Sequence, residues 1–270
     1  MSAATRQTAI TLSTLQRMMQ EGEKIACLTC YDATFAGVAE AAGIDVLLVG
    51  DSLGMVMQGH DSTLPVLLGD MIYHSACVAR GSSRCLRVVD MPFMSYTTPA
   101  QGIGNAARLM GEGGAQMVKL EGGRVIREVV HHLADHGIPV CAHLGLLPQS
   151  VHGLGGYRVQ GRDQRSADRI FEDARILEEA GAGMLVLECV PAELAGRITD
   201  SVSIPVIGIG AGPDCDGQVL VLHDLLGVTR GRRTKFSQDF LAGRGGIQAG
   251  MEAYQRAVKS GTFPGPEHSF

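Results

Sequence analysis

Short apolar runs that end in a carboxylate recur along this chain. The clearest is residues 46–52, Val-Leu-Leu-Val-Gly-Asp-Ser, where four apolar residues precede a glycine, a carboxylate and a hydroxyl. The same order returns at residues 85–90, 116–121 and 184–188. Continuous apolar runs of this length are typical of strands buried on both faces of a parallel sheet. Because a parallel sheet gathers the carboxyl ends of its strands on one edge, we expect these four acids to converge.

Amphipathic segments and glycines separate the apolar runs in a regular alternation. The predicted strands cover residues 25–30, 46–50, 85–90, 117–121, 139–144, 184–188, 205–210 and 217–222. The predicted helices cover residues 13–21, 33–42, 69–80, a stretch after Pro99, 124–136, 166–180, a stretch after Pro191, and 247–260. Eight strands with helices between them favour an α/β fold with a single (β/α)8 TIM barrel over an open doubly wound sheet.

Two long connections interrupt the alternation, at residues 51–68 and 145–164. Both are polar, and the second is too rich in glycine for a core, so its length predicts an active-site cover. We expect an N-terminal helical segment at residues 1–24, whose helix serves as a lid or a packing helix. The barrel catalytic domain is predicted at residues 25–226, and a C-terminal helical extension packed on the barrel at residues 227–270.

Composition narrows the classes of function. The 270 residues, 45% of them apolar, can bury one core of barrel size. The net charge of -5 provides no basic field for nucleic acid or an anionic membrane, and no apolar run approaches the roughly 18 residues of a membrane helix. Seven cysteines scattered through apolar runs favour a reduced, cytoplasmic location. Cys27 and Cys30 form a Cys-x-x-Cys, but residues three apart on a strand point to opposite faces, which disfavours a shared ion.

Asp51 and Asp90 are candidate ligands of one metal ion. Asp51 follows the second predicted strand and Asp90 ends the third. Neighbouring strands lie about 4.8 Å apart, so both carboxylates can reach the same divalent ion. Mg²⁺ suits such a site because it binds one or two carboxylates and completes its octahedral shell with water and substrate oxygens. Glu121 ends the next strand, too far for the same direct contact, and is expected to act through a bound water.

An acid-lined Mg²⁺ site of this kind suits chemistry next to a carbonyl group. Lys119 shares its side of the strand with Glu121, where an ammonium group can bind a substrate carboxylate. A 2-oxo acid can chelate the ion, which stabilises the enolate formed when a neighbouring carbon loses its proton. Glu188 faces the site from the sixth strand and is the candidate base.

Each of these residues has a structural alternative. A strand-end aspartate more commonly caps a turn than binds a metal. His143 taken alone is more typical of a hydrogen-bonded structural histidine than of a catalyst, and its position beside the other site residues makes the two interpretations about equal. Four acids at equivalent strand ends favour a functional site. The stretch 208–212, Gly-Ile-Gly-Ala-Gly, resembles a phosphate loop, but its spacing differs from the dinucleotide fingerprint, and a tight turn at the barrel rim explains the glycines.

Longer strings of residues carry a resemblance to a known family. They are Leu-Val-Gly-Asp-Ser-Leu-Gly-Met (48–55), Gln-Gly-His-Asp-Ser-Thr-Leu-Pro-Val (58–66), Met-Val-Lys-Leu-Glu-Gly-Gly (117–123), His-Leu-Gly-Leu-Leu-Pro-Gln-Ser-Val (143–151), Leu-Val-Leu-Glu-Cys-Val-Pro (185–191) and Ile-Pro-Val-Ile-Gly-Ile-Gly-Ala-Gly (204–212). From about residue 25 to the C-terminus, the chain resembles the ketopantoate hydroxymethyltransferase (3-methyl-2-oxobutanoate hydroxymethyltransferase) family.

The resemblance implies a barrel of the phosphoenolpyruvate/pyruvate-binding type and a homodecamer of two pentamer rings. It also implies Mg²⁺-dependent transfer of a one-carbon unit from 5,10-methylenetetrahydrofolate to 3-methyl-2-oxobutanoate, which gives 2-dehydropantoate on the pantothenate route to coenzyme A. The motifs imply these roles: Asp51, Asp90 and Glu121 at the metal, Asp51, Ser52, Asp90, Lys119 and His143 around the oxo acid, and Glu188 as proton acceptor.

Two rival functions remain open. Another Mg²⁺-dependent 2-oxo acid enzyme of the same barrel group, such as a lyase, commonly carries a Lys-Lys-Cys-Gly-His loop, which this sequence lacks. A non-catalytic metabolite-binding barrel would be expected to have lost an acid or the lysine of the site. Departures from the family pattern are mild: Arg158 stands where a lysine is common, and the stretch 230–233, Arg-Gly-Arg-Arg, is more basic than expected.

Overall fold

Eight parallel strands close into one barrel in this computed structural model, which describes residues 8–229 and 233–270. The strands are β1 Ile25–Thr29, β2 Val46–Val49, β3 Leu86–Asp90, β4 Met117–Glu121, β5 Val140–Gly145, β6 Met184–Glu188, β7 Val206–Ile209 and β8 Gly217–Leu220. Each strand pairs with its neighbours in sequence, and β8 pairs with β1 to complete the ring. The predicted (β/α)8 barrel is therefore confirmed. Most of the basic stretch 230–233 lies outside the described residues.

Ten α-helices are described, and most of them cover the outside of the barrel. They are α1 Leu12–Gln20, α2 Ala33–Ala41, α3 Leu53–Val56, α4 Leu68–Gly81, α5 Pro99–Gly111, α6 Arg127–Asp135, α7 Gln164–Glu179, α8 Ala192–Ser201, α9 Leu222–Leu225 and α10 Ile247–Lys259. Thr11, Asp32, Thr98 and Asp163 cap four of them, each accepting a hydrogen bond from the backbone N–H three residues later. Among the described residues, none of the helices has the length and apolarity needed to cross a bilayer.

The inward faces of the strands change from apolar to polar along the chain direction. On β3, Leu86 and Val88 belong to the apolar cluster inside the barrel, and Asp90 continues the same series into a cavity. On β5, Cys141 belongs to that cluster and His143 follows it into the cavity. Side chains alternate along a strand with a period of two, so a polar residue two positions after an inward apolar residue enters the same interior. This alternation places the polar groups at the carboxyl end of the barrel.

Helix α1 closes the opposite, amino end of the barrel. Its Leu15 and Met18 are buried in the interior cluster together with Ile25 at the start of β1. Just before the helix, the Ile10 N–H donates to the Arg84 carbonyl ahead of β3 at 2.7 Å. Helix α1 is therefore a packing helix at the barrel floor, and the lid alternative is not what the structure has.

Helix α10 covers the seam between the first and last strands. The hydroxyl of the fully buried Tyr254 lies 2.8 Å from the Cys27 carbonyl of β1 and 3.0 Å from the Gln218 carbonyl of β8. Phe240 and Phe263 pack edge-on against this ring, with centroid distances of 5.4 and 5.9 Å. The C-terminal helical extension is thus part of the barrel wall. The segment boundaries 1–24, 25–226 and 227–270 stay a prediction.

The two long connections are more buried than their polarity predicted. Residues 51–68 contain the short helix α3, in which Leu53 is fully buried. The approach there is close: a Cβ on Gly54 would meet Val66 Cγ2 at 2.6 Å. In residues 145–164, Leu146 and Val151 are buried. The expectation that the second segment is too polar and glycine-rich for the core was wrong for Leu146 and Val151, because contacts with distant parts of the chain bury them.

Candidate active site

A cavity of about 1050 Å³ opens at the carboxyl end of the barrel. It receives side chains from the ends of at least five strands and from both long connections. All seven predicted site residues line it: Asp51, Ser52, Asp90, Lys119, Glu121, His143 and Glu188. The four strand-end acids converge as the strand pattern led us to expect.

Asp51 and Asp90 lie side by side at the base of the cavity. Each is 3% exposed, and the Asp51 backbone N–H donates to Asp90 Oδ2 at 3.0 Å. Burial raises the pKa of Asp51 well above its usual value, and the charges of Asp90 and Glu121 raise it further. A Cβ on the preceding Gly50 would meet Ser52 Oγ at 2.8 Å, so the glycine leaves room for the Ser52 hydroxyl beside this pair. Two crowded, buried carboxylates favour a bound cation between them.

The oxygens of this pair fit a magnesium ion better than a metal that needs many protein ligands. Within residues 8–229 and 233–270, no three His, Cys, Asp or Glu side chains come close enough to form a metal site by themselves. Asp90 Oδ1 is buried and accepts no hydrogen bond from any described residue, although Lys119 Nζ lies 3.0 Å away. Mg²⁺ needs only one or two carboxylates with water and substrate oxygens, so the Asp51 and Asp90 pair satisfies its requirements.

Lys119, His143 and Glu188 form a polar chain across the cavity. Lys119 Nζ lies 3.1 Å from His143 Nδ1, and His143 Nε2 lies 3.4 Å from Glu188 Oε2 without hydrogen-bond geometry. Burial and the nearby Lys119 charge lower the pKa of His143. Burial opposes the charge of Lys119, but Asp90 and the other carboxylates outweigh it and raise the pKa of Lys119 above its usual value. A charged Lys119 therefore donates to Nδ1 of a neutral imidazole, whose proton is on Nε2 and faces Glu188.

Gln149 connects the acids to the second long connection, and sequence reasoning missed it. Its side-chain amide donates to Asp51 Oδ2 at 2.8 Å, and its backbone N–H donates to Glu121 Oε2 at 2.9 Å. The Tyr96 hydroxyl donates to Gln149 Oε1 at 2.6 Å. Gln149 does not belong to a periodic pattern of apolar residues that would have predicted its direction. Its place a few residues after β5 was the one available signal, because residues that follow barrel strands form the active-site face.

Tyr31 is a second missed residue, and it orients Ser52. The Tyr31 hydroxyl and Ser52 Oγ lie 2.9 Å apart, and Tyr31 is almost fully buried. Tyr31 follows β1 in the way that Asp51 follows β2. The rule that polar residues after strand ends face the site would have found it. Ser52 is thus held by a residue that directly follows the first strand.

Glu121 allows a test of site electrostatics in the metal-free protein. Burial, partly offset by Lys119 and the Gln149 N–H, raises its pKa to about 7. In the unfolded chain a glutamate titrates near about 4.3. Between these values the folded state keeps a proton that the unfolded state has lost, so rising pH weakens folding through this group.

We compare the free energy of unfolding of the chelator-treated wild type with that of chelator-treated Glu121→Gln. The wild-type value minus the variant value should fall as pH rises from about 4.5 to 7. The fall should be on the order of 2 to 3 kcal/mol and should level off at higher pH. Urea unfolding at a series of pH values measures both proteins. A difference that is flat across this window would contradict a raised pKa at Glu121.

The glycines at residues 208–212 make room for aromatic rings at the cavity wall. Gly210 has a φ of 61°, and a Cβ there would meet Phe236 Cδ1 at 2.9 Å and Phe270 Cε2 at 3.1 Å. Gly212 has a φ of 81°, and its Cβ would meet Ala192 Cβ at 2.5 Å. The tight packing explains these glycines without a bound phosphate.

Solved structures of several enzymes share this architecture. Phosphonopyruvate hydrolase in complex with oxalate and Mg²⁺ superimposes with a TM-score of 0.60 at 11% identity, covering 78% of this chain and 80% of that one. The 2,3-dimethylmalate lyase of the PEP mutase/isocitrate lyase superfamily gives a TM-score of 0.53 at 19% identity, covering 75% and 72%. At these identities the likeness shows the fold alone, a barrel of parallel strands covered by helices.

Relatives identified by sequence are far more similar to this chain. The 3-methyl-2-oxobutanoate hydroxymethyltransferase of Nitrosococcus oceani is 62% identical over 97% of this chain and 99% of its own length. The enzyme of the same name from Halorhodospira halophila is 58% identical over 97% and 95%. The profile of the ketopantoate hydroxymethyltransferase family matches residues 9–266. The chain therefore belongs to the ketopantoate hydroxymethyltransferase family, as the motifs had indicated.

Proposed function

We propose that this protein transfers a hydroxymethyl group from 5,10-methylenetetrahydrofolate to 3-methyl-2-oxobutanoate and gives 2-dehydropantoate, with Mg²⁺ as cofactor. The observation that carries the proposal is the convergence of the carboxylate pair, Lys119 and Glu188 in one cavity. Membership of the family supports the choice of substrates. The activity for which the two relatives are named agrees with it.

The base of the cavity binds and orients the oxo acid. Lys119 offers a buried ammonium group to its carboxylate, and Ser52 offers a hydroxyl that Tyr31 positions. Asp51 and Asp90 would hold Mg²⁺, and His143 lines the site. When bound, the ion supplies positive charge that stabilises an enolate. Glu121, held by the Gln149 N–H, stays the proposed third acid of the metal site.

Glu188 is the proposed base that removes the proton from C3 of the oxo acid. The new carbanion equivalent at C3 forms a bond to the methylene carbon of the folate. Both bonds from that carbon to folate nitrogens break. One nitrogen takes up the equivalent of the proton lost from C3, and the other takes a proton from water. The hydroxide of that water stays on the transferred carbon, so one water is consumed and tetrahydrofolate leaves.

The proposal extends to assembly and location. The family resemblance implies a homodecamer. All seven cysteines are free thiols, six of them buried, which supports the proposed cytoplasmic location.

Proton NMR of 3-methyl-2-oxobutanoate in D₂O tests the function in two steps. With enzyme and Mg²⁺ alone, we expect the C3 proton signal to disappear as deuterium replaces it. Addition of 5,10-methylenetetrahydrofolate should then produce a new hydroxymethyl signal. Removal of Mg²⁺ with a chelator serves as the control and should stop both changes. A folded, Mg²⁺-loaded protein that changes neither signal would contradict the proposed function.

A further inference from the structure

The cavity is much larger than the oxo acid at its base. Its volume of about 1050 Å³ reaches the upper end of the roughly 300–1,000 Å³ typical of pockets for drug-sized ligands. The acids and Lys119 occupy the buried base, whereas the wall nearer the opening carries aromatic rings and exposed cations. We call this second part the outer compartment and define it by Tyr157, Arg158, Arg162, Lys235, Phe236 and Phe270.

The second long connection supplies one wall of the outer compartment. Tyr157 is half exposed, and its hydroxyl contacts Met55 Sδ at 3.6 Å. Tyr157 lines the same cavity as Glu188, and burial together with the charge of Glu188 raises the pKa of Tyr157. Arg158 and Arg162 follow with exposed side chains. Between them, the Gln160 N–H donates to the Cys189 carbonyl at 2.9 Å and anchors this wall to the end of β6.

The segment after α9 and the C-terminal residue supply the other wall. Phe236 and Phe270 both pack on Gly210. The Phe270 carbonyl accepts from the Ala192 N–H at 3.0 Å, which fixes the chain terminus beside α8. Lys235 Nζ lies 4.9 Å from the centre of the Phe270 ring and donates to the Ser269 carbonyl. The aromatic surface is therefore held in place by the barrel.

This order of groups matches a ligand that is aromatic along its length and anionic at its outer end. Aromatic rings pack well on such side chains. Guanidinium groups bind carboxylates in a fork geometry, and both arginines lie where a flexible anionic tail would reach solvent. A simple oxo acid has neither feature, so the outer compartment suits a second molecule.

We propose that the outer compartment is the site of the folate cosubstrate. Its aromatic wall contacts the pterin and aminobenzoyl rings, and Arg158 and Arg162 pair with the carboxylates of the glutamate tail. This inference rests on the proposed function. It predicts that additional glutamates on the tail increase affinity, because each adds a carboxylate near the same cations.

Arginine variants test the tail contact by binding and by chemistry. Calorimetry with 5-formyltetrahydrofolate, as the monoglutamate and the triglutamate, gives the Kd of Arg158→Gln, Arg162→Gln and their double variant. We expect the Kd to rise about tenfold per arginine, the size of one charge-assisted hydrogen bond, and the benefit of the longer tail to shrink. The ratio of hydroxymethyl transfer to C3 exchange at limiting folate should fall by a similar factor. Arg158→Lys should keep part of the affinity because it keeps the charge.

Arg165→Gln is the matched control. Arg165 is exposed on α7 and does not line the cavity, and its replacement changes the net charge by the same amount. It should retain the wild-type Kd and ratio. If the wild type transfers the group but the Arg158 and Arg162 variants behave like Arg165→Gln, the tail site is overturned and the function stands. If the wild type binds no folate and forms no hydroxymethyl product, both proposals are overturned.

Discussion

Replacement of both Asp51 and Asp90 by alanine is expected to abolish Mg²⁺-dependent turnover while the barrel stays folded. The two carboxylates are the adjacent, buried oxygen donors at the base of the cavity, and Asp90 Oδ1 accepts no hydrogen bond from the described residues. Loss of the ion removes several kcal/mol of charge stabilisation, at about 1.4 kcal/mol for each factor of ten in rate. We therefore expect turnover to fall by about 10³-fold or more.

The measurement is hydroxymethyl transfer as a function of Mg²⁺ concentration, together with Mn²⁺ binding followed by electron paramagnetic resonance. Circular dichroism and urea unfolding check the fold. Asp135→Ala with Asp168→Ala removes two exposed acids outside the cavity and should behave as the wild type. Asp51→Asn with Asp90→Asn is a second test, since the amide oxygen introduced by Asp90→Asn can still accept the hydrogen bond from the backbone N–H of residue 51. If the double alanine or the double asparagine variant of Asp51 and Asp90 turned over with the wild-type Mg²⁺ requirement, the assignment of these two residues as metal ligands would be contradicted.

The barrel could be predicted because its local patterns agree with its global structure. Most strands are short runs dominated by apolar residues, as a parallel sheet covered on both faces requires, and each predicted strand lies within two residues of the observed one at both ends. Helix α3 could not be predicted, because four residues are too few for a periodic pattern and form a helix only when packed. Its Gly54 lies against Val66, a contact that no local pattern encodes.

The site was predictable where the residues belong to strands. Asp90, His143 and Glu188 continue inward series of apolar residues, so their direction follows from the period of two. Gln149 belongs to an irregular segment, and its hydrogen bond to Asp51 spans 98 positions in sequence. Such a contact depends on the folded chain as a whole. The outer compartment shares this property, since two irregular segments and the C-terminus form it.

A variant of Glu188 provides a second test of the mechanism, because the proposed role of Glu188 as the base is inferred from where its side chain lies. Its carboxylate is 17% exposed at the end of β6 and faces the cavity beside His143. The neutral imidazole carries its proton on the nitrogen that lies 3.4 Å from Glu188 Oε2, so a donor faces this carboxylate. A carboxylate in this position can accept the C3 proton, whereas an amide of the same shape cannot.

We expect Glu188→Gln to bind 3-methyl-2-oxobutanoate with Mg²⁺ nearly as the wild type does and to exchange its C3 proton about 10²- to 10⁴-fold more slowly, the usual contribution of a general base. Proton NMR in D₂O measures the exchange, and calorimetry measures the binding. Glu193→Gln, at an exposed position in the first turn of α8, makes the same chemical change outside the cavity and should exchange at the wild-type rate. Because the glutamine keeps the volume of the side chain, slow exchange with intact binding isolates the proton transfer from substrate positioning. Unchanged exchange in Glu188→Gln would assign the base to another group of the cavity, and Glu188 would then serve to orient His143.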